Sequence, residues 1–153
     1  LSQMQHVAQV IFLCGRNEQL RKKLDKLSAR LTDSRVSFKN LGFTTQVDEL
    51  MAASDILLGK PRGLTTSEAL AEWLAFVIVN PIPGQEERNS DHLLEEGVAI
   101  RCNNLPALAY KVDQLLEDNP RFARLQANAR RMARPNAARN IVNRLLQLHQ
   151  NEQ

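Results

Sequence analysis

Two short stretches gather the residue types that bind anions and sugars. The first runs Gly59-Lys60-Pro61-Arg62-Gly63-Leu64-Thr65-Thr66-Ser67-Glu68, directly after the β-prone segment 55–58. A glycine-containing turn that carries a strand into a helix presents free backbone N–H groups and the positive end of the helix dipole, which suits a phosphate. Thr65, Thr66 and Ser67 add hydroxyl donors, and Lys60 and Arg62 add positive charge. The stretch is neither a GxxxxGK[ST] loop nor a GxGxxG turn, because Gly59 and Gly63 have the wrong spacing. Its pattern also admits a purely structural reading, a capping box in which Thr65 and Glu68 satisfy each other's backbone N–H groups. The second stretch, Asn80-Pro81-Ile82-Pro83-Gly84-Gln85-Glu86-Glu87-Arg88-Asn89, bunches amide and carboxylate side chains at the start of another helix. Such groups supply the mixed donors and acceptors that sugar hydroxyls require, or they simply cap and solvate.

The elements that must position these stretches alternate. β-prone runs at 10–14, 36–41, 55–58, 76–79 and 98–101 are separated by segments of helical period at 18–31, 47–53, 66–73, 86–96 and 105–117. That alternation predicts an α/β fold, a Rossmann-like parallel sheet flanked by helices. In segment 18–31 Leu20, Leu24, Leu27 and Leu31 fall on one stripe of an otherwise charged helix. Segments 121–133 and 136–148 are helical after Pro120 and Pro135, each at a helix start. Both polar stretches leave carboxyl ends of parallel strands, so they can meet at one crevice. Residues 1–9 are polar and compatible with a helix; a parallel domain that opens on a helix is expected to lack its first strand and the loop that follows it.

Length and composition narrow the classes. A chain of 153 residues, 43% apolar and 24% charged, is expected to make one soluble domain spanning 1–153. The apolar run 73–83 is far short of the ~20 residues that cross a bilayer. The first residue is Leu and no signal-peptide pattern follows it, so the expectation is a piece of a longer protein rather than a secreted precursor. Cys14 and Cys102 have neither CxxC nor metal-ligand spacing, which predicts two buried free thiols, a reducing cytoplasm and no metal site. The net charge of +3 hides an asymmetry: residues 120–150 hold seven arginines (121, 124, 130, 131, 134, 139 and 144) and no acid. This run reads as a solvated face, an anionic-membrane contact or, least in keeping with its lack of interleaved aromatics, a nucleic-acid contact. No nucleic-acid partner is expected. His6 and His149 sit in polar end segments and His92 has no evident partner carboxylate, so no catalytic residue is assigned.

The run GKPRGLTTSEALA, followed in order by VIVNPIPGQEERNSDHLLEEG, resembles the C-terminal domain of glycosyltransferase family 28, and the PxPGQE signature is similar to its glycerolipid branch. The likeness includes Gly42-Phe43 and Val47-Asp48-Glu49-Leu50 within 36–55 and so spans nearly the whole chain. It implies the donor half of a GT-B fold. By the same resemblance Gly42 and Phe43 lie at the uracil of a UDP-sugar, and Gly63, Leu64, Thr65 and Thr66 surround its diphosphate with Lys60 and Arg62 nearby. Glu68 takes the ribose hydroxyls, and Gln85, Glu86 and Asn89 face the sugar. The lipid acceptor site and the general base belong to an N-terminal half absent from this chain, so the implied activity, hexose transfer to a lipid hydroxyl such as diacylglycerol, is not expected of the fragment alone. No Asp-x-Asp-like pair stands at the site, which agrees with the metal-independent, cofactor-free reaction that the resemblance implies, in the cytoplasm and peripheral on a membrane. Two departures stand out. Arg62 replaces a glycine, which restricts or strains the backbone there, and Trp73 stands where a helix-ending glycine is usual. The alternatives are a peptidoglycan-type UDP-N-acetylglucosamine transferase, against which Glu86-Glu87-Arg88 argues, and a non-catalytic nucleotide- or anion-binding module.

Overall fold

Ala75-Phe76-Val77-Ile78 is an uncharged β-prone run, and its residues alternate between two apolar layers. These four residues form β4 (Ala75–Ile78). Phe76 and Ile78 pack with Met51, Leu93, Val98 and Ala129 on one face. Ala75 and Val77 pack with Cys102, Leu115 and Leu125 on the other. A strand buried on both faces is the mark of a parallel sheet covered by helices on either side. Each buried Leu or Ile contributes about 1.5–3 kcal/mol relative to exposure.

The computed structural model describes residues 1–31 and 35–151, with side chains to 149. The element order is β1 (Ala8–Leu13), α1 (Glu18–Ser28), β2 (Val36–Leu41), α2 (Val47–Ala52), β3 (Ile56–Gly59), α3 (Gly63–Ala71), β4, α4 (Gln85–Glu95) and β5 (Ala99–Arg101). A 3-10 turn at Leu105–Ala107 leads into α5 (Leu108–Glu117), then α6 (Asn119–Met132) and α7 (Ala137–Asn151). The five expected strands are all present, and the chain has the α/β fold that the alternation predicts. Residues 1–7 are turns rather than helix, and the chain is extended by Ala8. One polar side chain there serves a turn group: Gln5 Nε2 donates to the Gln3 carbonyl at 3.3 Å.

The strands form two parallel sheets, β1 with β2 and β3-β4-β5. Among the described residues no ladder joins β1 to β3. Ala109 and Val112 of α5 nevertheless share one apolar cluster with Val36, Ala8 and Val10 of the first sheet and Ile56 and Leu58 of the second. All four residues of β3 are half-buried whereas all four of β4 are buried. Successive residues point to opposite faces, so exposure on both faces of β3 marks an open lateral edge rather than a missing cover.

At the amino edge α3 and α4 end in closed turns. At the end of α4, Gly97 takes a left-handed φ of 66° while Gly97 N–H and Val98 N–H donate to Leu94 and Leu93 carbonyls. This is the paired 5→2 and 6→1 closure that a left-handed residue permits. α3 ends in the same way, with Trp73 N–H to Leu70 and Leu74 N–H to Ala69, but the left-handed residue is Trp73 at φ 56°. Trp73 thus does the glycine's job itself, and the Arg130 guanidinium lies 4.6 Å from its ring centroid. The segment before β1 is tied to α5 by Asp113, whose carboxylate accepts Gln5 N–H (2.9 Å), His6 N–H (3.2 Å) and His6 Nδ1 (2.8 Å). Cys14 and Cys102 are buried free thiols, as their spacing predicts.

Candidate functional site

β3 ends at Gly59, and the chain crosses Lys60-Pro61-Arg62 to start α3 at Gly63, three residues before the predicted 66. Arg62 occupies the N-cap position, with φ −75° and ψ 151°, and no side chain caps the helix. The capping-box reading therefore fails: Thr65 lies inside the first turn, too late to be the cap. The strain expected of a side chain at position 62 is absent as well, because extended backbone of this kind accepts any residue. The first-turn N–H groups of Gly63, Leu64 and Thr65 have no intrahelical acceptor, and Thr66 N–H is the first to be taken, by the Arg62 carbonyl at 2.8 Å.

The hydroxyls divide. Ser67 Oγ donates to the Gly63 carbonyl at 3.1 Å. Thr66 Oγ1 is sealed from solvent without a partner. Thr65 is half-buried and Glu68 is exposed on the same helix. Thr65 therefore remains the hydroxyl best placed at the open end.

α4 begins one loop away. Gly84, at φ 104° and ψ −119°, adopts a backbone that only glycine takes readily, and it turns β4's continuation into α4 with no side-chain cap. Three contacts draw the two loops together. Asn89 Nδ2 donates to the Pro61 carbonyl at 2.8 Å. Arg62 Nε donates to Glu86 Oε1 at 3.2 Å. Lys60 Nζ lies 4.0 Å from Glu86 Oε2, which also accepts Ile82 N–H at 2.8 Å. The Ile82 N–H bond, opposed by partial burial and aided by Arg62 and Lys60, holds the Glu86 carboxyl below its ordinary range. Gln85 is exposed, and its Nε2 lies 3.9 Å from where a side chain on Gly63 would begin. The structure thus brings Lys60, Arg62, Gly63, Gln85, Glu86 and Asn89 together. Glu86 and Asn89 already hold partners within the chain.

Gly42 and Phe43 follow β2, against the turn that follows β1. A side chain on Gly42 would meet Glu18 Oε1 at 3.4 Å and the Gly15 carbonyl at 3.7 Å. Phe43 is 65% exposed, and the Arg16 guanidinium stands 5.2 Å from its ring centroid. Arg16 was not among the residues singled out from sequence. Gly15-Arg16, a turn glycine and a cation at a strand's carboxyl end, repeats in miniature the signal read at residues 59–63. His6, set aside as part of a polar end segment, pairs with Asp113 of α5, which is 107 positions away and invisible to local pattern. The pair joins the segment before β1 to α5, at the amino edge. Among the described residues no group of three or more His, Cys, Asp or Glu is placed to hold a metal ion.

The chain that carries this arrangement matches known proteins over most of its length. Residues 1–132 fit the family model described as glycosyl transferases group 1. The chain is 31% identical over 138 residues to the processive diacylglycerol beta-glucosyltransferase of Bacillus subtilis (strain 168), covering 90% of this chain and 35% of that protein. The enzyme of the same name from Bacillus mycoides (strain KBAB4) is 30% identical over the same shares. The chain therefore spans about a third of the length of the curated relatives it matches. Among solved structures, Acinetobacter baumannii MurG superposes with a TM-score of 0.76 at 19% identity, over 95% of this chain and 43% of that one. Anabaena HepE, solved in complex with UDP-glucose, superposes with a TM-score of 0.62 at 24% identity, over 86% and 37%. These likenesses establish the fold, and the family match places the chain: it belongs to the glycosyl transferases of group 1, with the GT-B architecture and the glycerolipid-enzyme relatives that its two motifs imply.

Proposed function

We propose that this chain is the donor-binding domain of an enzyme that transfers a hexose from a UDP-sugar to a lipid hydroxyl, with diacylglycerol as the acceptor. The observation that carries the reading is the α3 start, where three backbone N–H groups lie open beside Lys60 and Arg62. A diphosphate placed there gains charge-assisted hydrogen bonds and the helix dipole, and both strengthen as the leaving diphosphate gathers charge. Lys60 and Arg62 supply the positive charge for a metal-independent departure. Exposed Glu68, one turn into α3, takes the ribose hydroxyls; Phe43 and Gly42 flank the uracil; Gln85, Glu86 and Asn89 set the sugar pocket. HepE's bound UDP-glucose and the names of the Bacillus relatives support donor and acceptor class respectively. The acceptor site and general base are assigned to another part of the enzyme, so the 153-residue chain binds donor weakly and catalyses no transfer.

Titrating the chain with UDP while recording amide shifts tests the site: the largest changes are expected at Gly63 to Glu68, and their absence at millimolar UDP contradicts it. Glu68→Ala should weaken UDP more than its 2′-deoxy analogue; equal losses remove the ribose role. Competition among UDP-glucose, UDP-galactose and UDP-N-acetylglucosamine separates the glycerolipid from the peptidoglycan type.

For peripheral attachment to an anionic membrane, the support is the run of seven arginines at 121–144 and the exposed Ile141, Val142, Leu145 and Leu146 of α7. No described helix is long and apolar enough to cross a membrane. Co-sedimentation with anionic vesicles that survives equally with neutral vesicles would remove the electrostatic part.

A further inference from the structure

Two cations at the turn after β3 share one carboxylate, and the sharing is lopsided. Glu86 is anchored independently of them, since its Oε2 accepts Ile82 N–H at 2.8 Å and its side chain is only 13% exposed. Arg62 is 70% exposed and reaches Glu86 through Nε alone, at 3.2 Å. Lys60 stands at 4.0 Å, the outer limit of an ion pair. The carboxylate is fixed and the guanidinium is the movable partner. A guanidinium has five N–H donors in a planar fork that suits two phosphate oxygens at once, so one N–H to one carboxylate oxygen leaves most of its capacity unused. A diphosphate at the open start of α3 lies one residue from Arg62 and offers that fork more charge and more oxygens than Glu86 does.

We propose that Glu86 is an exchangeable counter-ion: it neutralises Arg62 until a nucleoside diphosphate-sugar binds, whereupon Arg62 moves to the phosphates and the freed carboxylate accepts hydrogen bonds from the sugar. The inference rests on the donor reading above and adds a selectivity to it. With a complete donor the freed carboxylate is satisfied by hydroxyl donors. With the diphosphate alone it is left facing like charge, an arrangement that costs affinity and draws Arg62 back. Glu86 therefore favours the intact donor over the spent nucleotide and assists release of the latter once the sugar has been transferred. Arg62, at the position where the resembling family has glycine, is the residue that gives this chain the exchange.

The test is a double-mutant cycle on the 153-residue chain, with UDP and UDP-glucose affinities measured by calorimetry and folding checked by thermal unfolding. Glu86→Gln keeps an acceptor for Ile82 N–H and removes the charge. It should tighten UDP about fivefold or more while weakening UDP-glucose, which shifts the preference toward the spent nucleotide. Arg62→Ala should weaken UDP by about tenfold, and in that background Glu86→Gln should gain clearly less, because only the like-charge repulsion is then relieved and no held guanidinium is released. If Glu86→Gln leaves UDP within twofold, or if its gain persists undiminished without Arg62, the exchange is wrong although the site stands. If the unaltered chain shows no UDP-induced shifts at Gly63 to Glu68, the donor reading falls and the exchange falls with it.

Discussion

The two edges of the β3-β4-β5 sheet are finished in opposite ways. At the amino edge, α3 and α4 end with carbonyls of their last turn, Ala69, Leu70, Leu93 and Leu94, taken by the Leu74, Trp73, Val98 and Gly97 N–H groups, and Asp113 gathers the N–H groups of Gln5 and His6. At the carboxyl edge the same two helices start without a side-chain cap. The fold does cap helices elsewhere: Asn17 accepts Leu20 N–H at 2.9 Å at the start of α1, and Asp118 accepts Arg121 N–H at 3.0 Å at the start of α6, with Pro120 in the first turn. The starts of α3 and α4 thus keep donors open where the proposed ligand would use them. The difference separates residues that hold the domain from residues of the proposed site.

Substitutions can break or sharpen that separation. The largest effect is expected at Asp113. Replacing it by Ala strands the Gln5 and His6 N–H groups and should cost about 3 kcal/mol in denaturant unfolding, with the proposed UDP site intact in the folded fraction. Burial pushes the Asp113 carboxyl up, but the Gln5 N–H, the His6 ring and the His6 N–H together bring it below its ordinary value. A carboxyl lowered in the folded state stabilises above the unfolded pKa and loses that contribution as pH falls through the folded value. The Asp113→Ala penalty should therefore shrink on acidification below about pH 4, and a penalty constant down to pH 2 would remove the charged clasp. Next comes Gly97→Ala. It places a Cβ in left-handed backbone and 2.9 Å from Asn128 Nδ2, which itself donates to the Gly97 carbonyl. A loss of about 2 kcal/mol is expected, again without a direct effect on ligand.

Arg62→Ser reverses the pattern. It installs a cap at the open start of α3 and should raise stability by about 0.5–1 kcal/mol while weakening UDP, because the serine hydroxyl competes for the same N–H groups. A variant that gains stability and keeps full UDP affinity would show that the open helix start is not used by the ligand. The smallest change is expected for Trp73→Gly. Relief of about 1 kcal/mol of left-handed strain is offset by the lost Arg130 contact, worth about 0.5–1 kcal/mol, leaving the melting temperature nearly unchanged.

The strands and the two loops were legible because hydrophobic runs and turn residues are local signals. Val77 and Ile78 announce a doubly covered strand without any knowledge of what covers it. The start of α3 was misplaced by three residues because Thr65-x-x-Glu68 imitates a cap, and only the path from Gly59 decides between Arg62 and Thr65 as the first half-helical residue. The Glu86–Arg62 and Asn89–Pro61 links span 24 and 28 positions and join two loops whose separation is set by strand pairing. Periodicity cannot report them. The His6–Asp113 clasp depends on α5 crossing beneath β1, a matter of topology. Residues 1–7 misled for another reason: polar composition fits a helix and a string of turns equally well.

The break between β1 and β3 has a material consequence. Among the described residues each of these strands carries backbone donors and acceptors along a side that no other strand pairs, and Ala8, Val10, Ile56 and Leu58 of the two strands share one apolar cluster. Such an edge recruits extended chain of any origin. Handled alone at high concentration, the domain should stick to its own kind or to passing peptides, and short extended segments that pair with either edge should keep it in solution.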